Sequence, residues 1–403
     1  EPLQLGKELA VKTILTGVIQ QNNDRIRITV QLINVDDGAT IWAEKYDVPL
    51  QEIFALQDDI SEKILQSLKV QINAEDNVKI VKRHTDNIEA FEAYSRGRYF
   101  WATSSVTDLN KSIKYFQKAI ELDPNYALAF LGLADAQLFY ATAITGKPVA
   151  SEYIKLAKLN ATKALELDNT LAEPHTTLAA IIYEENGDWA SAEKEFLKSI
   201  ELNPNYAIAH NWYSLHLLGQ GDFQKAESEM KKALQIDPIS PSMVAALGQI
   251  YYYGKQYDLA VIQFEKALEL DPDFARAKVY LSLALMEIGK KEQALSILEK
   301  VYQGYPQHTV AKTTLGWLYV NLGQRDKAEE ILRNFEKIEV PDVFDKYAIA
   351  LINAELGNTD KVFSILEEIS KFRNLSIILR LKFDPKLDSL RKEERFQKIL
   401  QQF

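Results

Sequence analysis

Residues 207–240 read AIAHNWYSLHLLGQGDFQKAESEMKKALQIDPIS, a stretch of 34 residues whose outline recurs on both sides of it. Pro204, Pro238, Pro272 and Pro306 follow one another at steps of 34, as do Ala226, Ala260, Ala294 and Ala328, and as do Gly289, Gly323 and Gly357. Within the quoted unit the helical period puts Tyr213, Ser214 and Leu217 on one side of a first helix, with Ala226, Met230 and Ala233 on the facing side of a second. Small residues let two backbones approach and larger ones fill the gaps between them. Later units repeat the arrangement: Leu247, Gly248 and Tyr251 face Ala260, Phe264 and Ala267; Leu281, Ser282 and Leu285 face Ala294; Leu315, Gly316 and Tyr319 face Ala328 and Leu332.

The ends of the helices are marked as well. Variants of Glu-Leu-Asp-Pro close the second helices at Glu121 to Pro124, Glu201 to Pro204, Gln235 to Pro238 and Glu269 to Pro272. Proline lacks the amide hydrogen and disfavours helix in the residue before it. Asn125, Asn205 and Asp273 stand where they are expected to cap the helix that follows. Gly289, Gly323 and Gly357 offer the left-handed backbone that ends a first helix. A period of 34 with this punctuation resembles the tetratricopeptide repeat (TPR), a pair of antiparallel helices. Counting outward gives about eight units. The first, 88–126, carries an insert around Ser104 to Thr107; the second, 127–171, carries one near Ala143 to Ser151 and has Asn169 in place of proline; the last begins near Val343 and has Val362 where alanine is usual.

Ahead of the array, Arg25 to Leu32 alternates strictly, with Ile26, Ile28, Val30 and Leu32 on one face, as in a half-buried strand. Turn signals at Asn22-Asn23-Asp24 and Asp36-Asp37-Gly38 join it to strands expected at Val11 to Gln20 and Thr40 to Tyr46. Ile53, Leu56, Ile60, Ile64 and Leu68 then recur at helical spacing and can cover the sheet. The order is α-β-β-β-α, a thin core that is expected to be completed by residues upstream of Glu1 or by docking on the first repeats. The start at Glu1 reads as that of a fragment or a processed product, and residues 371–403 as a closing segment over the last repeat.

The runs Leu5 to Val18, Arg25 to Thr29, Thr40 to Tyr46 and Ile53 to Asp58 resemble a TolB-like amino-terminal domain. That resemblance implies a bacterial signalling protein in which such a domain stands before a TPR array and behind an adenylate/guanylate cyclase, a winged-helix DNA-binding domain or a Ser/Thr kinase. The first strand and helix usual for the domain are absent here, as is every cyclase, kinase or DNA-binding motif. The expected fold is mainly α: a right-handed TPR α-solenoid of about eight helical hairpins behind a small α/β domain. The expected division is 1–75 for the partial TolB-like domain, 76–87 for a linker, 88–370 for the array and 371–403 for the cap.

Composition excludes several functions. The formal charge is -10, which repels a phosphate backbone, so nucleic acid is not an expected partner. There are no cysteines, which removes disulfides, thiolate metal sites and a cysteine nucleophile. No apolar run approaches the roughly 18 residues of a membrane span. His175 and His210 occupy corresponding repeat positions and are read as packing residues rather than ligands; no metal and no cofactor are expected. Adjacent acids such as Asp58-Asp59 and Glu329-Glu330 point apart on a helix and suit solvation rather than acid/base work. The chain is therefore read as non-enzymatic.

The TPR resemblance places the binding surface on the concave face, lined by the outward side of each first helix. By repeat position that face carries Tyr183, Asn211, Leu215, Leu218, Gln249, Tyr252, Tyr253, Arg276, Val279, Met286, Thr313, Trp317 and Asn321. Aromatic, methionine and arginine side chains among polar ones are the composition of binding hot spots. The expected partner is a protein or peptide, without a carboxylate-gripping pattern of basic residues and asparagine, and a homo-oligomer is left open. The parent is expected in the cytoplasm, as the regulatory part of a signalling protein; the alternative is a periplasmic or envelope-associated assembly factor.

Overall fold

The computed structural model describes residues 2–68, 83–102, 106–143, 150–306, 308–339, 341–372 and 375–402. The chain resolves into two compact units, Glu1–Phe91 and Glu92–Phe403. Most of the expected linker, and most of the two inserts expected in the first two repeats, lie outside the described residues.

In the first unit α1 (Pro2–Glu8) precedes β1 (Thr13–Asn22), β2 (Arg25–Asn34) and β3 (Thr40–Pro49), then a 3₁₀ turn (Leu50–Glu52) and α2 (Ile53–Ser67). The strands form an antiparallel sheet in the order β1-β2-β3. Ile26, Val30 and Leu32 of the alternating strand are buried, and α2 brings Ile53 and Leu56 down onto Ile26, Ile28, Tyr46 and Val48. On the same sheet face, Leu15 and Ile19 of β1 pair in register with Leu32 and Ile28 yet stay exposed, at 49% and 68%.

The second unit is helical. Its first hairpin is α3 (Ile88–Ala102), which the unit includes from Glu92 onward, with α4 (Val106–Leu122), its second α5 (Ala127–Ala143) with α6 (Ala150–Leu167), and its third α7 (Glu173–Asn186) with α8 (Trp189–Leu202). Then come α9 (Ala207–Gln220) with α10 (Phe223–Ile236), α11 (Pro241–Tyr253) with α12 (Tyr257–Leu270), and α13 (Ala275–Glu287) with α14 (Lys291–Gly304). The last two are α15 (Thr309–Asn321) with α16 (Arg325–Glu336) and α17 (Val343–Glu355) with α18 (Thr359–Ile369). Two helices follow, α19 (Leu375–Phe383) and α20 (Glu394–Leu400), with a 3₁₀ turn, Pro385–Leu390, between them.

The interlock within each hairpin is the one the repeat positions specify. Ala226, Ala260, Ala294 and Ala328 have no exposed surface. The ring of Phe264 on α12 lies against Gly248 on α11, so close that a Cβ there would stand 2.6 Å from it. Phe116 on α4 is held in the same way between Gly97 on α3 and Gly132 on α5. Between hairpins, tyrosine hydroxyls donate to glutamates of the preceding second helix: Tyr213 to Glu193 at 2.8 Å, Tyr251 to Glu227 at 2.9 Å and Tyr319 to Glu299 at 2.9 Å.

The helix ends follow the expected punctuation with one correction and one surprise. Asn125, Asn205 and Asp273 do not cap the next helix. Instead the residue before the proline, Asp123, Asn203 or Asp271, accepts their backbone N–H at 3.0 to 3.1 Å, a turn that spans the proline and leaves the capping place to Tyr206 and Phe274 ahead of α9 and α13. Between the paired helices of the later hairpins the left-handed positions are Gly187, Gly221, Lys255, Gly289, Gly323 and Gly357. Lysine thus stands at φ 60° in a glycine register, and its ammonium reaches Asp388 at 2.6 Å.

Gly248→Ala is expected to lower stability by about 1–3 kcal/mol, because the new methyl overpacks the Phe264 ring. Gly304→Ala, at a helical position with open space around it, should be neutral or stabilising by up to about 1 kcal/mol; urea denaturation of the two variants checks the contrast.

Candidate functional site

The first helices α9 to α17 line a trough, and the chain's own C-terminal segment lies in it. Leu375 meets Gly219 on α9, and the Lys382 ammonium donates to the Gly219 carbonyl at 3.0 Å. Phe383 packs edge-on against Phe223 at 5.3 Å. Arg380 sits over the rings of Phe344 and Tyr347 on α17, at 5.4 and 5.8 Å. The Tyr347 hydroxyl donates to Asp384 at 2.8 Å, Asp384 pairs with Lys386 at 2.8 Å, and the Lys386 ammonium stands 5.8 Å from the Trp317 ring centre on α15. Ile377, Ile378, Leu379, Leu381 and Leu387 are buried in the same continuous core as the repeats. The segment also closes the array as its sequence implies: Phe396 and Ile399 of α20 are buried, and Arg395 pairs with Glu367 at 3.0 Å over the Phe363 ring of α18.

The residues expected to line the groove differ in exposure. Of the residues mapped to the concave face, Tyr183, Leu218, Tyr252, Tyr253, Val279, Thr313 and Trp317 are buried. Each of the polar ones among Tyr253, Thr313 and Trp317 is engaged internally: Tyr253 with the Tyr280 hydroxyl at 3.1 Å, Thr313 with the Thr309 carbonyl at 2.7 Å, and the Trp317 indole N–H with Glu355 at 3.1 Å. The Tyr252 hydroxyl has no hydrogen-bond partner among the described residues. Asn211, Leu215, Gln249 and Met286 are half-buried, and only Arg276 and Asn321 are exposed. Among them Trp317 meets Lys386 of the tail, Tyr253 and Thr313 border a pocket with Arg380 and Asp384, and Tyr183 borders one with Leu375.

The trough is open at its other end. There α3, α5, α7 and the start of α9 surround a cavity of about 430 Å³, walled by Tyr94, Arg98, Trp101, Leu131, Asp135, Phe139, Glu173, Thr177, Tyr206 and Trp212 among others. The aromatic wall is continuous: Trp101 meets Phe139 edge-on at 5.5 Å, and Phe139 meets Trp212 at 6.4 Å. Arg98 lies 4.7 Å from the Trp101 ring centre. Asp135, the one charged residue of α5, accepts a hydrogen bond from the Thr177 hydroxyl at 2.6 Å. Burial raises its pKa to about 6; Thr177 and Arg98 oppose that shift and Glu173 adds to it. Burial also raises the Tyr206 phenol above its ordinary value, reinforced by Asp135 and Glu173, so its hydroxyl remains a donor.

A small pocket joins the open end to the filled one: Leu138, Ala180 and Trp212 of the large cavity also border a void lined by Tyr183, Phe196, His216 and Leu375. Burial lowers the His216 pKa to about 4, and its ring packs 4.9 Å from Trp189 and 5.5 Å from Phe196. The two histidines read as packing residues have acidic neighbours, with His175 Nδ1 2.6 Å from Glu195 and His210 Nδ1 2.7 Å from Glu229. Among the described residues no group of three or more His, Cys, Asp or Glu is placed to hold a metal, and no helix is long and apolar enough to cross a membrane.

Models of the tetratricopeptide repeat match residues 105–126, 177–241, 217–278 and 289–334. The helical array is a TPR solenoid. The chain is 29% identical over 131 residues, 32% of its length and 22% of the relative, to a protein named "Putative adenylate cyclase 3" from Rhizobium meliloti (strain 1021). It is 26% identical over 219 residues, 52% of this chain and 15% of the relative, to Superkiller protein 3 of Schizosaccharomyces pombe. The TPR chain thus matches less than a quarter of the length of either curated relative. Among solved structures, a monomeric mutant of IFIT1 with Gppp-AAAA superposes with a TM-score of 0.56 at 17% identity, covering 85% of this chain and 76% of that one; that likeness is one of fold.

Asp135, the residue central to the open end, was not singled out by the repeat argument, because it occupies no consensus position. The available signal was one acid in an otherwise uncharged helical run, Ala127–Ala143, where a charge is retained only for a partner.

Asp135 and His216 are expected to shape stability in opposite directions. The folded pKa of Asp135 is raised, so the folded state binds more protons between about pH 4 and 6 and stability falls as pH rises through that window. Asp135→Asn should therefore gain about 1–3 kcal/mol over the wild type above pH 6, and little below pH 4. His216 is depressed, so the unfolded state binds more protons between about pH 6.5 and 4 and stability falls as pH drops. His216→Phe should remove up to about 3 kcal/mol of that loss, read from denaturation midpoints across the range. For the tail, Lys386→Met leaves the Asp384 carboxylate buried without its ammonium and should cost about 3–5 kcal/mol, while Asp384→Asn combined with Lys386→Met should cost less than the single change; thermal unfolding of the two variants tests this.

Proposed function

We propose that the chain is a non-catalytic protein-interaction scaffold whose partner enters the open end of the trough, at the cavity between α3, α5, α7 and α9. The observation that carries this reading is the division of the trough: residues 375–390 occupy the first helices from α9 onward, and the cavity of about 430 Å³ is left at the other end. That volume lies within the roughly 300–1,000 Å³ typical of pockets that hold ligands or anchoring side chains. Its aromatic wall and central charges are what binding hot spots are made of.

The match to the cyclase-named protein supports a place in a bacterial signalling protein, with the array as its regulatory or sensing part and a cytoplasmic setting. The resemblance of residues 5–58 to a TolB-like domain supports the same reading. An envelope-associated role is the alternative, and no observation on the array favours it.

A photo-reactive residue placed at Phe139 of this protein, expressed in its native host, is expected to give discrete protein adducts. The same residue at Lys194, exposed on the second helix α8, is expected to give none. Equal adducts from both positions would rule out the trough as the binding surface.

A further inference from the structure

We infer that the open end of the trough takes a basic, amphipathic segment of a partner protein, with an arginine or lysine of that segment seated against Asp135 and Glu173. The inference rests on the scaffold reading and specifies the chemistry of its partner.

Three observations converge on a cation. The first is the precedent inside the molecule. Where the trough is filled, its first-helix surface holds the cations of Leu375 to Leu390 against aromatic rings and a carbonyl: Arg380 over Phe344 and Tyr347, Lys386 near Trp317, Lys382 on the Gly219 oxygen. Stacking on aromatic faces and charge-assisted hydrogen bonds are what such surfaces offer a desolvated cation.

The second is continuity. The tail's Leu375 ends its path beside Trp212 and Ala180, which also line the open cavity, so the surface that seats the tail runs on without a break into the empty part. The aromatic wall continues with it, through Trp212, Phe139 and Trp101.

The third is charge. The cavity is lined by two carboxylates, Asp135 and Glu173, against one guanidinium, Arg98, which is stacked on Trp101. One more cation balances the lining. An anionic or purely apolar guest would leave Asp135 enclosed with a deficit of positive charge, the costly arrangement for a buried acid. A formal charge of -10 on the chain favours approach of a basic segment over longer distances.

The test uses the whole chain and two synthetic peptides of 16 residues with the same apolar face, one carrying lysine and arginine on its polar face and the other glutamate. Tryptophan fluorescence, to which Trp101 and Trp212 contribute from the cavity wall, follows the titration. The basic peptide is expected to bind and the acidic one not, with affinity falling at higher salt. Asp135→Asn combined with Glu173→Gln should weaken the basic peptide at least tenfold. Because Asp135→Asn is expected to raise stability, a loss of binding with an unchanged or higher unfolding midpoint cannot be ascribed to misfolding.

Equal binding of the two peptides, abolished by the bulky filler Ala180→Trp, would overturn the basic-segment inference and leave the scaffold reading standing. Absence of binding by both peptides, together with no adducts from Phe139, would overturn both. Binding of arginine amide as tightly as the basic peptide would make this a small-cation site and overturn the inference. Concentration-dependent dimerisation lost in the same double variant would assign the cavity to a second copy and likewise overturn it.

Discussion

The close approach of paired helices through alanine and glycine is the contact on which the rest of the second unit depends. Ala226, Ala260, Ala294 and Ala328 are fully buried, and at Gly248, which touches the ring of Phe264, there is no room for a further methyl. A solenoid built from such hairpins stacks each unit on its neighbours alone, so stability is local and summed along the chain. The first helices then share one surface, part of which meets the chain's own tail.

Most of that architecture was legible in the sequence because it depends on repetition. The step of 34 fixes the hairpin, the left-handed turn and the small interface residue together, and the structure extends the turn register back to Gly187 and Gly221. Lys255 breaks the residue type but keeps the backbone, and its bond to Asp388 gives the substitution a physical reason. Helix capping was read less well. The acting side chains, Asp123, Asn203 and Asp271, stand two positions earlier than expected, since a side chain that folds a turn around proline is indistinguishable by composition from one that caps a helix.

The tail lay beyond what periodicity can decide. Tyr252, Tyr253 and Trp317 were read as outward residues of first helices, which describes where they stand in the repeat and says nothing about what covers them. Part of their cover comes from neighbouring repeats, and part from the tail, whose Lys386 stands over Trp317 and whose sequence carries no repeat. A segment with Ile377, Ile378, Leu381 and Leu387 all buried in the common core is a structural part of the array. Displacing it would expose side chains each worth about 1.5–3 kcal/mol of burial. A guest at α11 to α17 would have to replace those contacts in full, whereas a guest at α3 to α9 meets a cavity that already exists.

That asymmetry also explains where the molecule tolerates an unfavourable group. Asp135 is an acid whose burial raises its pKa, so at neutral pH its charge weakens the fold. In a quasi-one-dimensional array the penalty stays within the hairpins that surround α5, and the long core from Ala179 to Ile399 does not contain it. The filled half holds its own buried carboxylate, Asp384, and supplies it with Lys386, the Tyr347 hydroxyl and a backbone amide. The open half supplies Asp135 with the Thr177 hydroxyl and the more distant Arg98, and faces it with a second acid. The same surface thus solves the problem of a buried acid completely where the chain provides the cation, and incompletely where it does not.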